Sequence, residues 1–199
     1  MLELHFINYY MHSESNSTTE RITLVVIANA GHSGSTLLGL LLNAHPQILS
    51  VGEFSSLPRE ISEAGEIQTN FWRGIVGEQP LKPFRFRQPF LSRLLNLYRL
   101  KNTKDVGATT SEVEAQYDAL LRTAQQKIGS RIITLAITNT VDDLHVLFHS
   151  KNFEVRVIHL IRDGRGVAYS YAKKYGKPLW RYIQYLLCNL NIKAALIGL

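Results

Sequence analysis

Cysteine is almost missing from this sequence, since Cys188 is the single thiol among 199 residues. One thiol cannot form an internal disulfide, and it cannot supply the several thiolates of a cysteine-rich zinc site. The histidines of one predicted helix, His145 and His149, also lack the glutamate of an H-E-x-x-H motif. We therefore expect neither an internal disulfide nor a bound metal.

Long apolar runs are missing as well. The longest covers residues 37–42, far short of the roughly 20 residues that a membrane-spanning helix needs. The N-terminus has neither the basic stretch nor the continuous apolar core of a secretory signal. These absences predict a chain without a membrane span and, by default, a cytoplasmic location.

Acidic side chains are the minority charge, with 16 Asp and Glu against 22 Lys and Arg, which gives a formal net charge of +6. This balance, with an isoelectric point near 9.5, favours an anionic partner such as nucleic acid, a phosphorylated cofactor or an acidic surface. The apolar fraction of 45% and the charged fraction of 19% are ordinary for a globular domain. Extensive disorder and a fibrous or collagen-like structure are therefore not expected.

The chain length is that of one domain with a short appendage. Residues 1–20 include a run of Ser, Asn, Thr and Glu, which predicts a flexible lead-in. Met1 and Met11 are both possible translation starts within it. We expect residues 21–199 to form a single domain.

Buried strands alternate with helices along this domain. Residues 22–28 form a continuous β-branched and apolar run, as expected for a strand that is covered on both faces of a parallel sheet. Further strands are predicted at 47–51, 132–137 and 155–161, and helices at 37–45, 111–128, 140–149, 163–174 and from residue 178 onward. The alternation predicts an α/β fold with a three-layer P-loop-like architecture, in which helices flank a mostly parallel central sheet.

One stretch, the basic insertion at residues 79–104, stands apart because it holds seven basic side chains and no acid. Its leucines have helical spacing. Either this apolar stripe packs on the core and leaves a solvated basic face, or the segment is a flap that binds an anionic acceptor. Its aromatic residues give only weak support to nucleic-acid binding, so no nucleic-acid partner is expected. The basic residues are Lys82, Arg85, Arg87, Arg93, Arg99, Lys101 and Lys104.

The most informative motif is GHSGST at residues 31–36, between the first predicted strand and an apolar helix. A glycine-rich turn at a helix N-terminus collects backbone N–H groups at one point, where the helix dipole adds partial positive charge. Gly31 and Gly34 let the backbone curve around an anion without Cβ clashes. Serine and threonine hydroxyls add donors. The motif predicts an anion-binding loop, although Gly/Ser clusters also occur as simple turns.

This loop departs from the P-loop motif G-x-x-x-x-G-K-[ST]. If Gly34 is aligned with the second glycine, Asn29 stands at the first glycine and Ser35 at the lysine. Without that lysine, a Mg²⁺-bound triphosphate loses its cationic clamp. The loop is better suited to an anion with less charge to neutralise, such as a phosphate joined to a sulfuryl group.

A second anion site is predicted where the strand at 155–161 runs into a helix. Arg162 lies at the carboxyl end of that strand, where ligands bind in open α/β sheets, and its guanidinium can bond a phosphate as a planar fork. Ser170 lies about two helical turns later and can donate its hydroxyl to the same group, with Arg165 as a spare cation. The alternative is that Arg162 caps a helix or pairs with Asp163, and that Ser170 lies on a surface.

Two stretches together resemble the sulfotransferases that use 3′-phosphoadenosine 5′-phosphosulfate (PAPS), above all the bacterial, carbohydrate and tyrosylprotein types: GHSGSTLLGLLLNAHPQILSVGE and VIHLIRDGRGVAYSY. The resemblance covers about residues 22–174, with little to match between 61 and 130. It implies that the first loop holds the 5′-phosphosulfate, and that an Arg and a Ser eight residues apart hold the 3′-phosphate. The corresponding cofactor-binding residues are Gly31, His32, Ser33, Gly34, Ser35, Thr36, Arg162 and Ser170.

The resemblance implies transfer of a sulfuryl group from PAPS to a hydroxyl or amine of a small-molecule, carbohydrate or peptide acceptor, without a metal. Glu53 matches the glutamate that is the base in the tyrosylprotein type, and His32 stands where relatives often carry Arg or Lys. A protonated His32 would supply charge there, and histidine titrates near neutrality. No lysine follows the strand at 132–137, and relatives usually run well past this length. The chain is therefore similar to a member that lacks the C-terminal part of the family domain.

Two other functions stay open from the residues alone. A P-loop nucleotide kinase or NTPase gains support from Asp163, which ends its strand as a Mg²⁺-binding aspartate would, and loses support from the missing lysine. A non-catalytic nucleotide-binding remnant would keep both anion sites without transferring a sulfuryl group.

Overall fold

The fold is taken from a computed structural model of the chain. It describes residues 2–7, 21–53, 109–138, 150–176 and 178–198, together with Leu144, Leu147 and Phe148. The basic insertion predicted at residues 79–104 lies outside the described residues, and so does most of the helix predicted at 140–149.

From residue 21 onward, the described strands and helices follow one another in the order that the sequence predicted. The strands are β1 (Leu2–Ile7), β2 (Ile22–Asn29), β3 (Ile48–Glu53), β4 (Ile132–Thr138) and β5 (Phe153–Arg162). The helices are α1 (Ser35–Asn43), α2 (Thr109–Ile128), α3 (Gly164–Tyr175) and α4 (Pro178–Gly198).

The strands form one sheet with the order β1-β5-β2-β4-β3. β2 lies in the middle and runs parallel to both β4 and β5, with Leu24 opposite Ile133 on one side and Val155 on the other. β3 runs parallel to β4. The prediction of an α/β fold with a mostly parallel central sheet is confirmed.

β1 is an element that the sequence prediction lacked. The flexible lead-in predicted at residues 1–20 contains a strand at Leu2–Ile7, which pairs antiparallel with β5 and sets Leu2 opposite Arg162. The reason is physical: LELHFI begins with the apolar–polar alternation of a half-buried strand, and the outer edge of β5 offers unpaired backbone groups that an added strand can satisfy.

Helices cover both faces of the sheet. On one face Ile27, Ala136 and Leu160 pack against Leu38 and Leu42 of α1. On the other face the even-numbered side chains of β2 join side chains of α2 and α4 in the main core, which includes Leu24, Val26, Tyr117, Leu121, Leu135, Ile192 and Leu196. This arrangement gives the three layers of a P-loop-like fold.

α1 is held close to β3 at its middle and at its C-terminal end. A Cβ added to Gly39 would lie 2.8 Å from Ser50 Oγ, so glycine permits the close approach of helix and strand. The Asn43 side chain then accepts a hydrogen bond of 2.9 Å from the backbone N–H of Ser50. Both contacts hold the helix that follows the predicted anion-binding loop.

Helix ends agree with the signals that the sequence carries. Gly129 follows α2 in the left-handed conformation (φ 72°) and donates its N–H to the carbonyl of Gln125 at 2.8 Å. Asp163 caps α3 by accepting a hydrogen bond from the Arg165 N–H. Among the helices in the described ranges, none has the length and apolarity needed to cross a bilayer.

The central position of β4 predicts a large cost for removing a core side chain. Leu135→Ala should lower the free energy of unfolding by about 2–5 kcal/mol, because Leu135 is fully buried and the truncation leaves a cavity. Leu40→Ala on α1 is the matched control, since Leu40 is 65% exposed. This substitution should change the free energy of unfolding by less than about 0.5 kcal/mol. Urea denaturation measures both, and equal losses would contradict this packing.

Candidate functional site

The candidate site lies at the carboxyl edge of the sheet. The parallel strands β2, β3, β4 and β5 end there, at Asn29, Glu53, Thr138 and Arg162. Such an edge is where ligands bind in open α/β sheets. The loop from Ala30 to Gly34 leaves β2 at this edge, so the fold places the predicted anion-binding loop beside the other strand ends.

The loop is held by an internal hydrogen bond. Ser33 is 1% exposed and its hydroxyl donates to the carbonyl of Ala30 at 2.6 Å. This hydrogen bond therefore stabilises the turn. The sequence analysis predicted that the same hydroxyl donates to a ligand. Gly34 precedes α1 with a φ of 100°, a conformation that glycine adopts without strain, and its carbonyl accepts from the Leu38 N–H at 3.1 Å.

The other predicted loop residues lie around the start of α1. Gly31 is half-buried, Ser35 is half-buried in the first turn of the helix, and Thr36 is exposed. Their roles as ligand donors stay predictions, because their positions at a helix N-terminus fit an anion without identifying it.

Arg162 and Ser170 both contact the loop through His32. The Arg162 guanidinium donates from Nη1 to the His32 carbonyl at 3.1 Å. The Ser170 hydroxyl lies 3.3 Å from His32 Nδ1. The two anion sites that the sequence predicted separately therefore adjoin, because β5 and β2 are neighbours in the sheet.

His32 has an unusual backbone conformation for a side chain of its kind. Its φ is 63°, in the left-handed region that residues with a Cβ seldom adopt. The bonds from Arg162 and Ser170 reach its carbonyl and its ring. Both contacts help to hold this conformation, so the shape of the loop depends on the two residues predicted to bind the 3′-phosphate.

α3 and α4 position Arg162. A Cβ added to Gly166 would lie 3.4 Å from Arg162 Nε, so the guanidinium runs close along the first turn of α3. The Tyr185 hydroxyl on α4 accepts from the Arg162 N–H at 3.2 Å and donates to the Arg162 carbonyl in a short hydrogen bond. Tyr185 is buried, and its two hydrogen bonds fix the end of β5.

Arg165 is not the spare cation that the sequence predicted. It forms a salt bridge of 2.8 Å with Asp163 and is 90% exposed. The hydrogen bond from the Arg165 side chain is the largest cause that lowers the pKa of Asp163 to about 2. In this structure the charge of Arg165 is therefore paired with that of Asp163.

An aromatic and cationic cluster beside His32 was not predicted. The His32 and Tyr171 rings meet edge-on with centroids 4.3 Å apart, and Tyr175 lies at 6.2 Å. The Arg181 guanidinium sits 5.3 Å from the centroid of each tyrosine, and Lys174 Nζ lies 5.3 Å from that of Tyr175. Only the i, i+4 spacing of the tyrosines was visible in the sequence, because Arg181 belongs to another helix.

This environment keeps His32 neutral. Burial lowers the pKa of the imidazole first, and the positive charges of Lys174, Arg162 and Arg181 lower it further. The sequence-based expectation that a protonated His32 replaces the Arg or Lys of relatives is therefore revised. Near pH 7 the ring is a hydrogen-bonding group, and the positive charge of the site comes from the three cations around it.

Glu53 lies at the end of β3, after Gly52 in the left-handed conformation (φ 78°). The pKa of Tyr171 is raised, mainly by burial, and the negative charge of Glu53 is among the smaller contributors. The carboxylate is thus close enough to act electrostatically on a side chain that packs against His32. This places Glu53 at the same edge as the loop.

His159, near the end of β5, has a structural partner. His159 is 3% exposed and its Nε2 lies 3.0 Å from Asn189 Oδ1, as expected for a core histidine. Among the side chains that the structure describes, no group of three or more His, Cys, Asp and Glu could hold a metal ion.

No protein-family model matches the chain, and no curated protein matches it either.

The surroundings of His32 give a direct spectroscopic prediction. The imidazole should titrate below pH 6.5 in an NMR experiment, and Lys174→Gln should move its pKa upward because one of the opposing charges is removed. In the unaltered protein, His32 binds a proton less readily in the folded state than in the unfolded state. The free energy of unfolding should therefore fall as the pH drops below about 6.5.

His32→Asn is the control for that pH dependence, because asparagine tolerates a positive φ and does not titrate. The variant should flatten the dependence of the melting temperature on pH between about 6.5 and 5. A His32 pKa at or above 6.5 would contradict the desolvated, cation-lined environment.

Proposed function

We propose that this protein is a PAPS-dependent sulfotransferase that moves a sulfuryl group to a hydroxyl or amine acceptor. The observation that carries the proposal is the double contact of Arg162 and Ser170 with His32. PAPS carries its 5′-phosphosulfate and its 3′-phosphate on the same ribose. A protein that binds both groups needs two anion sites side by side, and this edge of the sheet has residues suited to both.

The backbone of residues 31–36 and the N-terminus of α1 would bind the 5′-phosphosulfate. Arg162 and Ser170 would bind the 3′-phosphate. A guanidinium carries five N–H donors, so Arg162 can bond a phosphate while it keeps its bond to the His32 carbonyl. Lys174 and Arg181 add positive charge around His32, which favours an anionic ligand at this edge.

The proposed reaction is an in-line displacement. The acceptor oxygen bonds to sulfur while the bond between sulfur and the bridging oxygen of the 5′-phosphate breaks, so 3′-phosphoadenosine 5′-phosphate (PAP) leaves. The acceptor proton goes to the Glu53 carboxylate, the candidate base. His32 is the second candidate catalytic residue. As a neutral ring it would donate to a sulfuryl oxygen through Nε2–H, in the tautomer whose Nδ1 accepts from Ser170, and the Ser170 hydroxyl would leave Nδ1 to donate to the 3′-phosphate.

The nucleotide site is tested by binding. PAP should raise the melting temperature of the protein without Mg²⁺, and more than adenosine 5′-phosphate does. Arg162→Ala should weaken PAP binding by about 10–100-fold, the range expected for loss of charge-assisted hydrogen bonds. It should also weaken adenosine 5′-phosphate binding, but by less, because the variant loses a contact that helps to hold the loop. Isothermal titration calorimetry measures the dissociation constants.

Arg156→Ala is the matched control, because Arg156 lies on the same strand β5 but pairs with Glu154 near its other end. It should leave both affinities unchanged. Equal losses for both nucleotides in Arg162→Ala would remove the 3′-phosphate assignment. A response to Mg·ATP alone would favour the P-loop kinase or NTPase.

Catalysis is tested by transfer of a labelled sulfuryl group from PAPS to a panel of phenolic, carbohydrate and peptide hydroxyls. With an acceptor in hand, Glu53→Gln should lower kcat by about 10²–10⁴-fold, the contribution typical of a positioned general base, and should leave PAP affinity within about twofold. PAP binding without transfer to any acceptor would support the non-catalytic remnant. An unchanged kcat in Glu53→Gln would exclude Glu53 as the base.

A further inference from the structure

Asn29 holds a buried amide donor at the edge that carries the candidate site. It is the last residue of β2 and is 1% exposed. Its Oδ1 accepts a hydrogen bond of 3.0 Å from the Thr138 hydroxyl at the end of β4. Within the part of the chain that the structure describes, its Nδ2 has no hydrogen-bond partner. Such buried donors are rare in folded proteins, so this one requires an explanation.

The strand geometry shows where the amide points. Side chains alternate between the two faces of a strand, so Asn29 shares a face with Ile27. Ile27 packs against Leu38 and Leu42 of α1. Asn29 is two residues closer to the loop than Ile27, so its side chain lies on the α1 face, toward the N-terminal end of that helix.

Thr138 fixes the orientation of the amide. Because the Thr138 hydroxyl donates to Oδ1, the oxygen of the side chain is occupied and Nδ2 remains as the donor without a partner. The residue stands where a P-loop has its first glycine. The chain thus has a polar side chain at a position where that motif has none.

We propose that the Asn29 amide donates a hydrogen bond to the oxyanion bound by the loop, and that Thr138 is the residue that positions it. The oxyanion class is a tetrahedral phosphoryl or sulfuryl group, and under the proposed function it is the 5′-phosphosulfate of PAPS. The amide supplies a neutral donor to a site that lacks the P-loop lysine.

Asn29→Asp tests this inference on the full chain. The variant keeps the shape of the side chain and the acceptor for Thr138, but it replaces the donor with a carboxylate oxygen that repels an anion. Calorimetric titration with inorganic sulfate and with PAP should show at least a tenfold loss of affinity at pH 7.5. The loss should shrink as the pH is lowered, because protonation of the introduced carboxyl restores a donor.

Two further variants keep the test valid if that substitution prevents folding. Thr138→Val removes the positioning hydroxyl and should weaken sulfate and PAP binding by about three- to tenfold. Thr134→Val is the control, since Thr134 is fully buried on the same strand, four residues before Thr138 and away from the carboxyl edge. It should leave both affinities unchanged, and circular dichroism checks that each variant is folded.

The outcomes separate this inference from the proposed function on which it rests. Sulfate binding without PAP binding, with the expected loss in Asn29→Asp, would overturn the proposed function and keep the amide as an oxyanion donor. PAP binding that neither Asn29→Asp nor Thr138→Val weakens would overturn the inference alone. If the unaltered protein binds neither sulfate nor PAP, both are overturned.

Discussion

The candidate site depends on one set of contacts, those that Arg162 and Ser170 make with His32. They connect the loop after β2 with the end of β5 and the middle of α3, which are far apart in the sequence. They also hold His32 in a left-handed conformation that its side chain does not favour. Tyr185 supports them from α4 by bonding the backbone of Arg162 on both sides. Any anion bound at this edge meets a loop whose shape is already set by the residues predicted to bind the second phosphate.

Most of the fold could be predicted because its central strands are rich in apolar and β-branched residues. Three predicted strands each lie within an observed strand, at residues 22–28, 132–137 and 155–161. Central strands of a parallel sheet are typically rich in such residues, because helices cover both faces of the sheet. β1 was not predicted, for two reasons. It lies just before a polar run, and it is an edge strand whose pairing with β5 cannot be read from the local sequence. The strand order was equally beyond reach, because alternation of strands and helices does not fix which strands are neighbours.

The candidate residues could be predicted one at a time, but their relations could not. The motif around Gly34 and the spacing of Arg162 and Ser170 are local features, whereas their meeting at His32 follows from the pairing of β2 with β5. Two residues differ from their predicted roles. The Ser33 hydroxyl donates to the carbonyl of Ala30 within the loop, and Arg165 pairs with Asp163. Arg181 and Asn29 were missed as site residues because the first lies on a separate helix and the second was visible only as a departure from a known motif.

The electrostatics of this edge follow from how its charges are shared. Lys174, Arg162 and Arg181 surround His32 and, after burial, keep it neutral, so the site combines fixed positive charges with neutral donors. This combination suits a ligand with two separate anionic groups.

A crystal structure of the protein with PAP tests most directly whether one nucleotide occupies both anion sites. The account predicts the 5′-phosphate at residues 31–36 and the 3′-phosphate between Arg162 and Ser170. A nucleotide bound elsewhere, or with its 3′-phosphate turned away from Arg162 into solvent, would contradict it.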